Sequence, residues 1–473
     1  MKTNLTSLLG LILLLAGCTL APKYTQPQAP VPDAWPEGPA YEHARAPAEA
    51  EAQSMPAAMP WREFFSDAHL RSAIETALTN NRDLRLAALN VQRARALYGI
   101  QRSELYPAVS ASASGNKQRI PADLSSTGQA YTAEQYDVNL GILAWEIDFF
   151  GRIRSLKDRA LQTFLASEQA ARSARILIVS AVADTYLALA ADREHLSLAQ
   201  TTLSAQEETY RLIKKRYDAG LATDLDLNRA KTQVDAARVD VASYMEVAAR
   251  DQNALNLLAG TPSPVEGQNL PSALSDIQPL KKFYAGLSSQ VLLQRPDVLE
   301  AEYQLKAAHA NIGAARAALF PRISLTTTVG TASSDLDGLF ASGSDTWRFA
   351  PQIAMPLFDA RLWSALDATR TEREIVLTQY EKTIQTAFRE VADALAVQGT
   401  MNQRLSAQQS LVDASAATYR LADARYTKGI DSYLGVLDAQ RALYAAQQGY
   451  VTLRQAHLSN QVRLYAVLGG GVE

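Results

Sequence analysis

The sequence contains few of the residues that several classes of protein require. One cysteine among 473 residues excludes an internal disulfide framework and any cysteine-rich zinc or iron–sulfur site. Basic residues are not in excess, because 46 lysines and arginines stand against 49 aspartates and glutamates, which gives a formal net charge of −3. Since nucleic-acid binders usually present a basic surface, this balance argues against a nucleic-acid partner.

Motifs of common enzymes and cofactor sites are also missing. The sequence has no His-Glu-x-x-His pair, no phosphate-binding glycine pattern and no Gly-x-Ser-x-Gly turn. Its five histidines are scattered along the chain: His43, His69, His195, His309 and His457. We therefore predict neither catalytic activity nor a bound metal or organic cofactor.

The single cysteine follows a short apolar stretch at the amino terminus. Lys2 precedes apolar residues from Leu8 onwards, and Leu15-Ala16-Gly17-Cys18 ends the stretch. It is shorter than the roughly 20 residues that span a bilayer, and its length suits a signal peptide. One interpretation is an ordinary signal peptide with an incidental cysteine. The alternative is that Leu-Ala-Gly-Cys, which resembles a bacterial lipobox, marks cleavage before Cys18 and acylation of that residue.

We favour the lipobox interpretation, which predicts a signal peptide at residues 1–17 and a covalent lipid on Cys18. Thr19 follows instead of an aspartate, and in similar lipoproteins this implies sorting to the outer membrane. A single acyl chain anchors a protein only marginally, so several chains or a second membrane contact are expected. Residues 21–60 hold nine of the 19 prolines, which favours extended backbone and indicates a Pro-rich tether over residues 18–60.

Two distant parts of the sequence repeat in the same order. Residues 83–107 match residues 297–321 at a constant offset of 214, and residues 211–225 match residues 420–434 at an offset of 209. Ordered matches in two separate blocks indicate a duplication more strongly than chance similarity in an Ala-rich chain. The predicted organisation is a first repeat at 61–260, a joint rich in proline, glycine and serine at 261–296, and a second repeat at 297–471.

Each repeat contains a helical stretch that is unusually long for a globular protein. Residues 152–219 include neither glycine nor proline, and as a helix they would reach about 100 Å at 1.5 Å per residue. Heptad spacing of apolar and aromatic residues in both repeats favours coiled-coil packing. We predict long helices at about 152–259 and about 360–468.

Alternating segments precede the long helices in each repeat. From Tyr136 to Ala144 apolar residues alternate with polar or small ones, and the segment from Trp347 to Met355 has a similar pattern. This period of two predicts strands at about 108–118, 134–146, 322–332 and 346–357. One such strand fits an amphipathic sheet in a soluble protein, but four together favour a membrane β-barrel.

Four strands cannot close a barrel by themselves. A sheet in lipid must close, because an open edge leaves backbone groups without hydrogen-bond partners, and barrels need at least about eight strands. The barrel must therefore be shared between chains, with eight strands from two chains or twelve from three. Together with the long helices, this predicts a membrane cylinder that continues as a helical tube.

Several motifs in the sequence resemble those of the outer-membrane factor family. They are the lipobox with its tether, the segments 144–152, 314–321 and 433–441, and Arg295-Pro296-Asp297. These TolC-like proteins are the exit ducts of tripartite efflux systems, and the similarity is closest to the OprM-type lipoprotein branch. It covers the chain from Cys18 to about Gly471.

The resemblance implies an α+β membrane protein with a duplicated unit. Three chains with four strands each would form a trimeric twelve-stranded β-barrel, continued by a long α-helical coiled-coil tunnel in the periplasm. The implied partners are a periplasmic adaptor protein, an inner-membrane transporter of the resistance–nodulation–division class, and outer-membrane lipid. The implied function is the outer-membrane exit channel of a multidrug efflux system, which conducts passively and is gated at its periplasmic helix tips.

The gate lies at helix tips, and the sequence has two helix-turn-helix tips, residues 217–229 and 426–441. The resemblance implies that the second tip lines the periplasmic aperture. A glycine opens each turn, Gly220 in the first and Gly429 in the second, and both can take the left-handed conformation that a helix end requires. A ring of leucines can block a passage by dewetting, and a ring of carboxylates favours cations. The implied gate residues are Leu434 in an apolar ring, Asp438 in an acidic ring, and Arg441 and Tyr426 around them.

The first-repeat tip carries Tyr217, Asp224 and Asp226. These aspartates either belong to the gate or are solvated carboxylates that suit a helix amino terminus. Asp438 and Arg441 could likewise be an ordinary surface pair, three residues apart on a helix. Asp431 and Gly435 stand where the TolC pattern has a basic and an acidic residue. The OprM-type arrangement is therefore the better guide.

Other functions fit parts of the sequence. A periplasmic coiled-coil scaffold or adaptor lipoprotein would explain the helices and Cys18, but not four alternating strands. An outer-membrane duct of a type I protein secretion system or of a metal-ion efflux system would share the fold. Cargo selection would then lie with the transporter, because a duct accepts what its transporter delivers.

Overall fold

The computed structural model describes residues 19–42, 59–261, 270–278, 280 and 288–470. The predicted signal peptide, Cys18, residues 43–58 of the tether and part of the joint lie outside the described residues. The described chain forms two compact units. The strand unit comprises the residues up to Gln28, Asn90–Glu168 and Glu300–Tyr380; the helix unit comprises Ala29–Leu89, Gln169–Leu299 and the residues from Glu381 onwards.

The strand unit contains an antiparallel sheet with the strand order β1-β2-β3-β4. The strands are β1 (Val109–Ile120), β2 (Tyr131–Glu146), β3 (Arg322–Ser333) and β4 (Asp345–Ala354). β2 begins before the predicted position because its pairing with β1 continues to the pair of Ile120 and Tyr131. β4 ends before the predicted position, because its pairing with β3 ends at Ala354, opposite Arg322, the first residue of β3.

The register aligns apolar positions of neighbouring strands on one face of the sheet. Leu140 of β2 lies opposite Val329 of β3, and Val329 lies opposite Trp347 of β4. All three residues are more than half exposed, Trp347 the most at 78%. The apolar row of Leu140, Val329 and Trp347 is thus uncovered in a single chain, and the adjacent pair of Thr328 and Arg348 belongs to the opposite, polar face.

The sheet is also open at its edges. Among the described residues, β1 and β4 each pair with a strand on one side only. An open edge leaves a row of backbone N–H and C=O groups without partners, which is unfavourable in lipid. The described residues supply no further strand, so closing the sheet requires strands from elsewhere.

A bulge interrupts the pairing of β2 with β3 between Ile142 and Trp145. Ala144 in this bulge has a φ of 52°, an uncommon conformation for a residue with a Cβ. Its N–H donates to Thr326 Oγ1 at 3.1 Å, which holds the backbone in place. Bulges bend a strand and redirect the chain that follows, and here that chain leads out of the sheet into a long helix.

Helices at equivalent positions of the two repeats have nearly equal lengths. α3 and α6 both have 22 residues, α4 and α7 have 67 and 68, and α5 and α8 have 36 and 35. The duplication seen in the sequence thus extends to whole elements. In chain order the helices are α1 (Trp61–Phe64), α2 (Ala68–Asn80), α3 (Arg82–Ser103), α4 (Arg152–Asp218), α5 (Asp224–Ala259), α6 (Pro296–Ala317), α7 (Ala360–Thr427) and α8 (Tyr433–Val467).

The helix unit has a core in which α1 and α2 pack on the long helices. Phe64 stacks on Tyr465 of α8 with ring centroids 4.3 Å apart. Asp67 caps α2 by accepting from the Leu70 N–H at 2.8 Å, and it also hydrogen-bonds Tyr186 of α4. Since all these aromatic rings are buried, this core fixes α4 and α8 against the short helices.

The described part of the tether is extended and packed against helices. In the strand unit, the Tyr24 hydroxyl donates to Glu302 Oε1 of α6 at 2.9 Å. In the helix unit, Trp35 stacks on Phe388 of α7 with ring centroids 5.2 Å apart. Residues 19–42 are therefore held by specific contacts in each unit.

Candidate functional site

In the helix unit, α4 and α7 both end in tight turns. α4 passes into α5 through residues 219–223, and α7 passes into α8 through residues 428–432. Gly220 and Gly429 have φ angles of 75° and 73°, in the left-handed region that glycine occupies without steric penalty. In both turns the glycine N–H and the N–H after it donate back to carbonyls of the preceding helix, as in a Schellman motif. The two repeats thus share one turn geometry.

The helices that leave these turns begin differently. In the first repeat, Thr223 Oγ1 accepts from the Asp226 N–H at 3.2 Å, and Asp226 Oδ2 accepts from the Thr223 N–H at 3.3 Å, which forms a capping box. In the second repeat, Ser432 makes no side-chain cap, and Gly435 stands at the position equivalent to Asp226. α8 therefore begins without a cap of the kind that stabilises a helix by about 1 kcal/mol.

An apolar cluster joins the two tips. Ile213 of α4, Ala230 of α5 and three residues of α8, Tyr433, Val436 and Leu437, are buried together. Because both repeats contribute, the cluster holds the two tips side by side through apolar contacts. Partly buried residues around it are Tyr210, Ala222, Leu227, Tyr419, Ala422 and Tyr426.

Arg216 connects the first repeat to the second. Its Nη1 donates to the Tyr426 hydroxyl at 2.9 Å, and its guanidinium carbon lies 5.3 Å from the centre of the Tyr426 ring. The Tyr426 ring in turn lies 5.4 Å from that of Tyr433 in the apolar cluster. Sequence reasoning did not identify Arg216 as a site residue, although the repeat alignment pairs it with Arg425, which is the signal that could have found it.

Arg425, the equivalent of Arg216, has a different partner. Its Nη2 donates to Asp431 Oδ1 at 3.2 Å. This hydrogen bond lowers the pKa of the Asp431 carboxyl and raises the pKa of the Arg425 guanidinium. The first repeat has Ala222 at the position of Asp431, so Arg216 has no such acid beside it and binds Tyr426 instead.

Leu434, Asp438 and Arg441 form one exposed stripe along α8, here called the gate stripe. Their spacing of four and three residues places them on the same helix face, and all three are exposed. Tyr433 and Leu437, on the opposite side of this turn, are buried. Among the described residues, neither Asp438 nor Arg441 forms a hydrogen bond or ion pair with another side chain. The gate stripe therefore faces away from its own chain and can meet a second molecule.

The remaining predicted site residues make other contacts. Tyr426 accepts from Arg216, and among the described residues no hydrogen bond joins it to Asp438 or Arg441. The Tyr217 hydroxyl hydrogen-bonds the Asp224 carboxylate, which raises the pKa of Tyr217.

Asp226 serves in the capping box of α5, at a helix amino terminus, where the helix dipole favours a carboxylate. Within the described ranges, no group of three or more histidine, cysteine, aspartate or glutamate side chains is arranged to hold a metal ion. Cys18, the predicted lipid attachment site, lies outside those ranges. At the tips, the exposed gate stripe on α8 therefore carries both apolar and charged side chains, whereas α5 begins with a capping box.

Comparisons with known proteins match nearly the whole chain. The family model for outer membrane efflux proteins matches residues 73–261 and 287–470. The chain is 47% identical over 473 residues to the toluene efflux pump outer membrane protein TtgC of Pseudomonas putida, covering 100% of this chain and 96% of TtgC. It has the same identity and coverage with the antibiotic efflux pump outer membrane protein ArpC of Pseudomonas putida.

A solved structure shows the same similarity in three dimensions. The open state of the MtrE outer membrane channel of Neisseria gonorrhoeae superposes with a TM-score of 0.85 at 35% sequence identity. The superposition covers 96% of this chain and 99% of the MtrE chain. Both the strand unit and the helix unit therefore have counterparts in that channel.

Proposed function

The chain belongs to the outer membrane efflux protein family, and from this we propose how its sheet, tips and amino terminus work together as an exit duct. The protein is an outer-membrane exit channel for multidrug efflux. The fold class predicted from the sequence is confirmed: a duplicated α+β membrane protein that gives four strands per chain to a trimeric barrel and has the long helices of the periplasmic tunnel.

Three copies close the barrel that one sheet leaves open. Each copy supplies four strands, and β1 of one copy pairs with β4 of the next to give twelve strands. Two copies would give eight, but an eight-stranded barrel is filled by its own side chains and leaves no passage for cargo. The apolar row of Leu140, Val329 and Trp347 then faces lipid, and the polar face with Thr328 and Arg348 lines the passage.

Three copies also bring three gate stripes around one axis. Leu434 then forms an apolar ring that blocks the passage by dewetting, and Asp438 forms an acidic ring that favours cations over anions. Arg441 lies next to these carboxylates, while Tyr426 anchors the second-repeat tip to Arg216 of the first. The observation that carries this proposal is that the gate stripe is exposed and, among the described residues, has no partner in its own chain.

The channel acts as the last component of an efflux pump. A periplasmic adaptor protein binds its helical part, and an inner-membrane transporter of the resistance–nodulation–division class delivers the cargo, as the motif resemblance implies. Acylated Cys18 adds a lipid anchor to the anchoring that the barrel provides. This lipid is the one covalent modification that we propose. The channel conducts its cargo passively, without a catalytic step.

The names of the relatives indicate the class of cargo. TtgC is named for toluene efflux and ArpC for antibiotic efflux. We assign this chain a similar cargo of small organic molecules with substantial apolar surface. A duct for secreted polypeptides or for metal ions, which would share the fold, has no counterpart in these names and is the weaker alternative.

Single-channel conductance in planar bilayers tests the gate. The double variant Leu434→Ala, Asp438→Ala removes the apolar side chains and the carboxylates from both rings, so we expect its conductance to rise at least about twofold over wild type. The first repeat offers a matched control, because Leu225 and Arg229 are the equivalents of Leu434 and Asp438 at the repeat offset.

The control variant Leu225→Ala, Arg229→Ala should keep the wild-type conductance, since these residues lie at the start of α5 and outside the gate stripe. Unchanged conductance in the Leu434→Ala, Asp438→Ala channel would contradict the assignment. An equal rise in both double variants would contradict it too, because it would show general loosening of the tips.

A further inference from the structure

A cavity of about 690 Å³ lies in the helix unit, and its lining does not include any residue of the two tips. Its walls come from α4, α7, α8 and the residues around the start of α6. On α4 the lining residues include Ser173, Leu177, Ser180 and Asp184, whose spacing of four, three and four residues forms one stripe on the helix. Eleven residues of helix span about 16 Å, so the cavity has room for an extended ligand.

Two buried polar atoms at opposite ends of this stripe lack partners. Asp184 Oδ1 and Ser173 Oγ form no hydrogen bond with any described residue. The Asp184 carboxyl takes part in one side-chain hydrogen bond, with Ser459 of α8, and burial raises the pKa of Asp184 to about 6. The carboxyl is therefore mainly ionised at pH 7.5. A buried carboxylate oxygen without a donor is unfavourable, so the cavity favours a ligand that supplies one.

The basic groups near Asp184 do not supply that donor. Arg463 of α8 is exposed, and it acts on Asp184 through space, where it partly offsets the effect of burial. Arg295, which also lines the cavity, is almost fully buried, and its donors are already engaged. They bind Asp297 Oδ2 at 2.7 Å, Glu390 Oε2 at 3.0 Å and the Val467 carbonyl at 2.6 Å.

We propose that this cavity binds an amphipathic organic cation, with an ammonium head on Asp184 and an apolar tail along Leu177 towards Ser173. An ammonium group provides three donors and makes a charge-assisted hydrogen bond with a carboxylate. The cavity volume lies within the range of small-molecule sites, which are mostly apolar with a few polar groups. Apolar lining for the tail comes from Ala174, Ile176, Leu177, Val397 and Ala456.

Other ligand classes fit the cavity less well. An anion would find Arg295 already occupied by Asp297 and Glu390 and would lie near an ionised Asp184. A neutral alcohol would give Asp184 Oδ1 a donor but no charge to balance it. A metal ion would find one carboxylate oxygen without a partner, which is fewer ligands than metals require.

Isothermal titration calorimetry of the purified channel with hexylammonium at pH 7.5 tests the proposal, with 1-hexanol as the uncharged ligand that has the same tail. We expect hexylammonium to bind about tenfold more tightly than hexanol. Asp184→Asn should weaken hexylammonium about tenfold and leave hexanol unchanged. Lowering the pH to 5 should weaken hexylammonium in the wild type as well, because Asp184 becomes protonated while the ligand stays charged.

Two further variants separate the site from general effects. Glu246→Gln changes an exposed carboxylate on α5 outside the cavity, and this variant should bind both ligands like the wild type. Ala456→Phe adds bulk at an exposed position of the cavity wall, and it should weaken both ligands.

Equal binding of hexylammonium to wild type and Asp184→Asn would overturn the proposal. Absence of binding to the wild type would do so too, and would indicate that a side chain from a second copy fills the cavity. The measurement involves no conductance, so its outcome is independent of the gate described above.

Discussion

Asp192 of α4 and Asp251 of α5 bring two carboxyl groups together between neighbouring helices. Burial, together with a hydrogen bond that protonated Asp192 donates to Asp251, raises the pKa of Asp192 to about 7. Asp251 Oδ2 is buried and has no hydrogen-bond partner among the described residues. Two carboxylates this close repel each other when both are ionised, so at low pH the pair keeps a shared proton that joins α4 to α5.

We expect Asp192→Asn to raise thermal stability at pH 8 and to change it little at pH 5. The pKa of Asp192 in the folded protein lies above the value of about 4 that aspartate has in an unfolded chain. Between these values the folded protein binds more protons than the unfolded chain, so its stability falls as the pH rises from about 4 to 7. The amide of asparagine donates to Asp251 at every pH and removes this loss.

Thermal unfolding followed by circular dichroism at pH 5 and pH 8 measures this effect. Asp235→Asn provides the control, because Asp235 is also an aspartate of α5 but is exposed. That variant should have the same Tm difference between the two pH values as the wild type. A gain of equal size at both pH values in Asp192→Asn would show that the pair shares no proton.

Single residues were predictable where the signal is local in the chain. A glycine directly after a long periodic stretch indicates a left-handed helix end, and Gly220 and Gly429 have that conformation. The partner of Arg216 was not predictable, because Tyr426 lies 210 residues away. Asp192 and Asp251 likewise meet only after α4 and α5 pack, and no local pattern pairs them.

At the scale of elements, the positions of strands and helices were predictable from the spacing of apolar residues and from where glycine and proline occur. The apolar face of the sheet follows from the period-two pattern, because a shift of one residue would move the apolar positions to the opposite face. The capping box of Thr223 and Asp226 is a local pattern that the sequence also contains, but an acid at this position also fits a gate carboxylate or a solvated carboxylate at a helix start. Its absence at Ser432 and Gly435 makes the two tips unequal although their turns have the same geometry.

Gly435→Asp should add to α8 the capping box that α5 already has. A Cβ at position 435 would meet no atom within 4 Å, and the introduced carboxylate could accept from the Ser432 N–H as Asp226 does from Thr223. We expect the start of α8 to gain about 1 kcal/mol. Hydrogen exchange followed by mass spectrometry should show slower exchange over residues 432–438.

Asp226→Gly is the matched reverse change in the first repeat. It removes the capping box of α5 and should speed exchange over residues 223–229 by a similar free energy. If Gly435→Asp leaves exchange in α8 unaltered while Asp226→Gly speeds it in α5, then the difference between the tips arises from packing and not from the caps.

At the scale of the whole molecule, we propose two independent means by which the chain stays in the membrane. One is the sheet with its apolar row, and the other is the lipid proposed for Cys18. The sequence predicted both, since alternation and the lipobox are local patterns. Strand number alone left two or three copies open. The motif resemblance implied three, and the width of the passage agrees with that number.

Cys18→Ser should remove the lipid and leave the channel in the membrane, when the variant carries a cleavable signal sequence. Intact mass spectrometry should show loss of the acyl chains, and detergent-resistant trimers in the outer-membrane fraction should persist because the barrel anchors itself. The chain has no other cysteine, so thiol labelling of the wild type provides a check on acylation. Wild-type protein without lipid mass would contradict the lipobox interpretation.

The open four-stranded sheet has a consequence for genetics. A chain with intact strands and a defective gate would still enter barrels with normal chains, because the sheet edges that pair between copies are unchanged. With equal expression of both alleles and random mixing into trimers, only about one channel in eight would consist of normal chains alone. Gate mutations should therefore be dominant in cells that carry both alleles, whereas mutations that destroy the strands should be recessive.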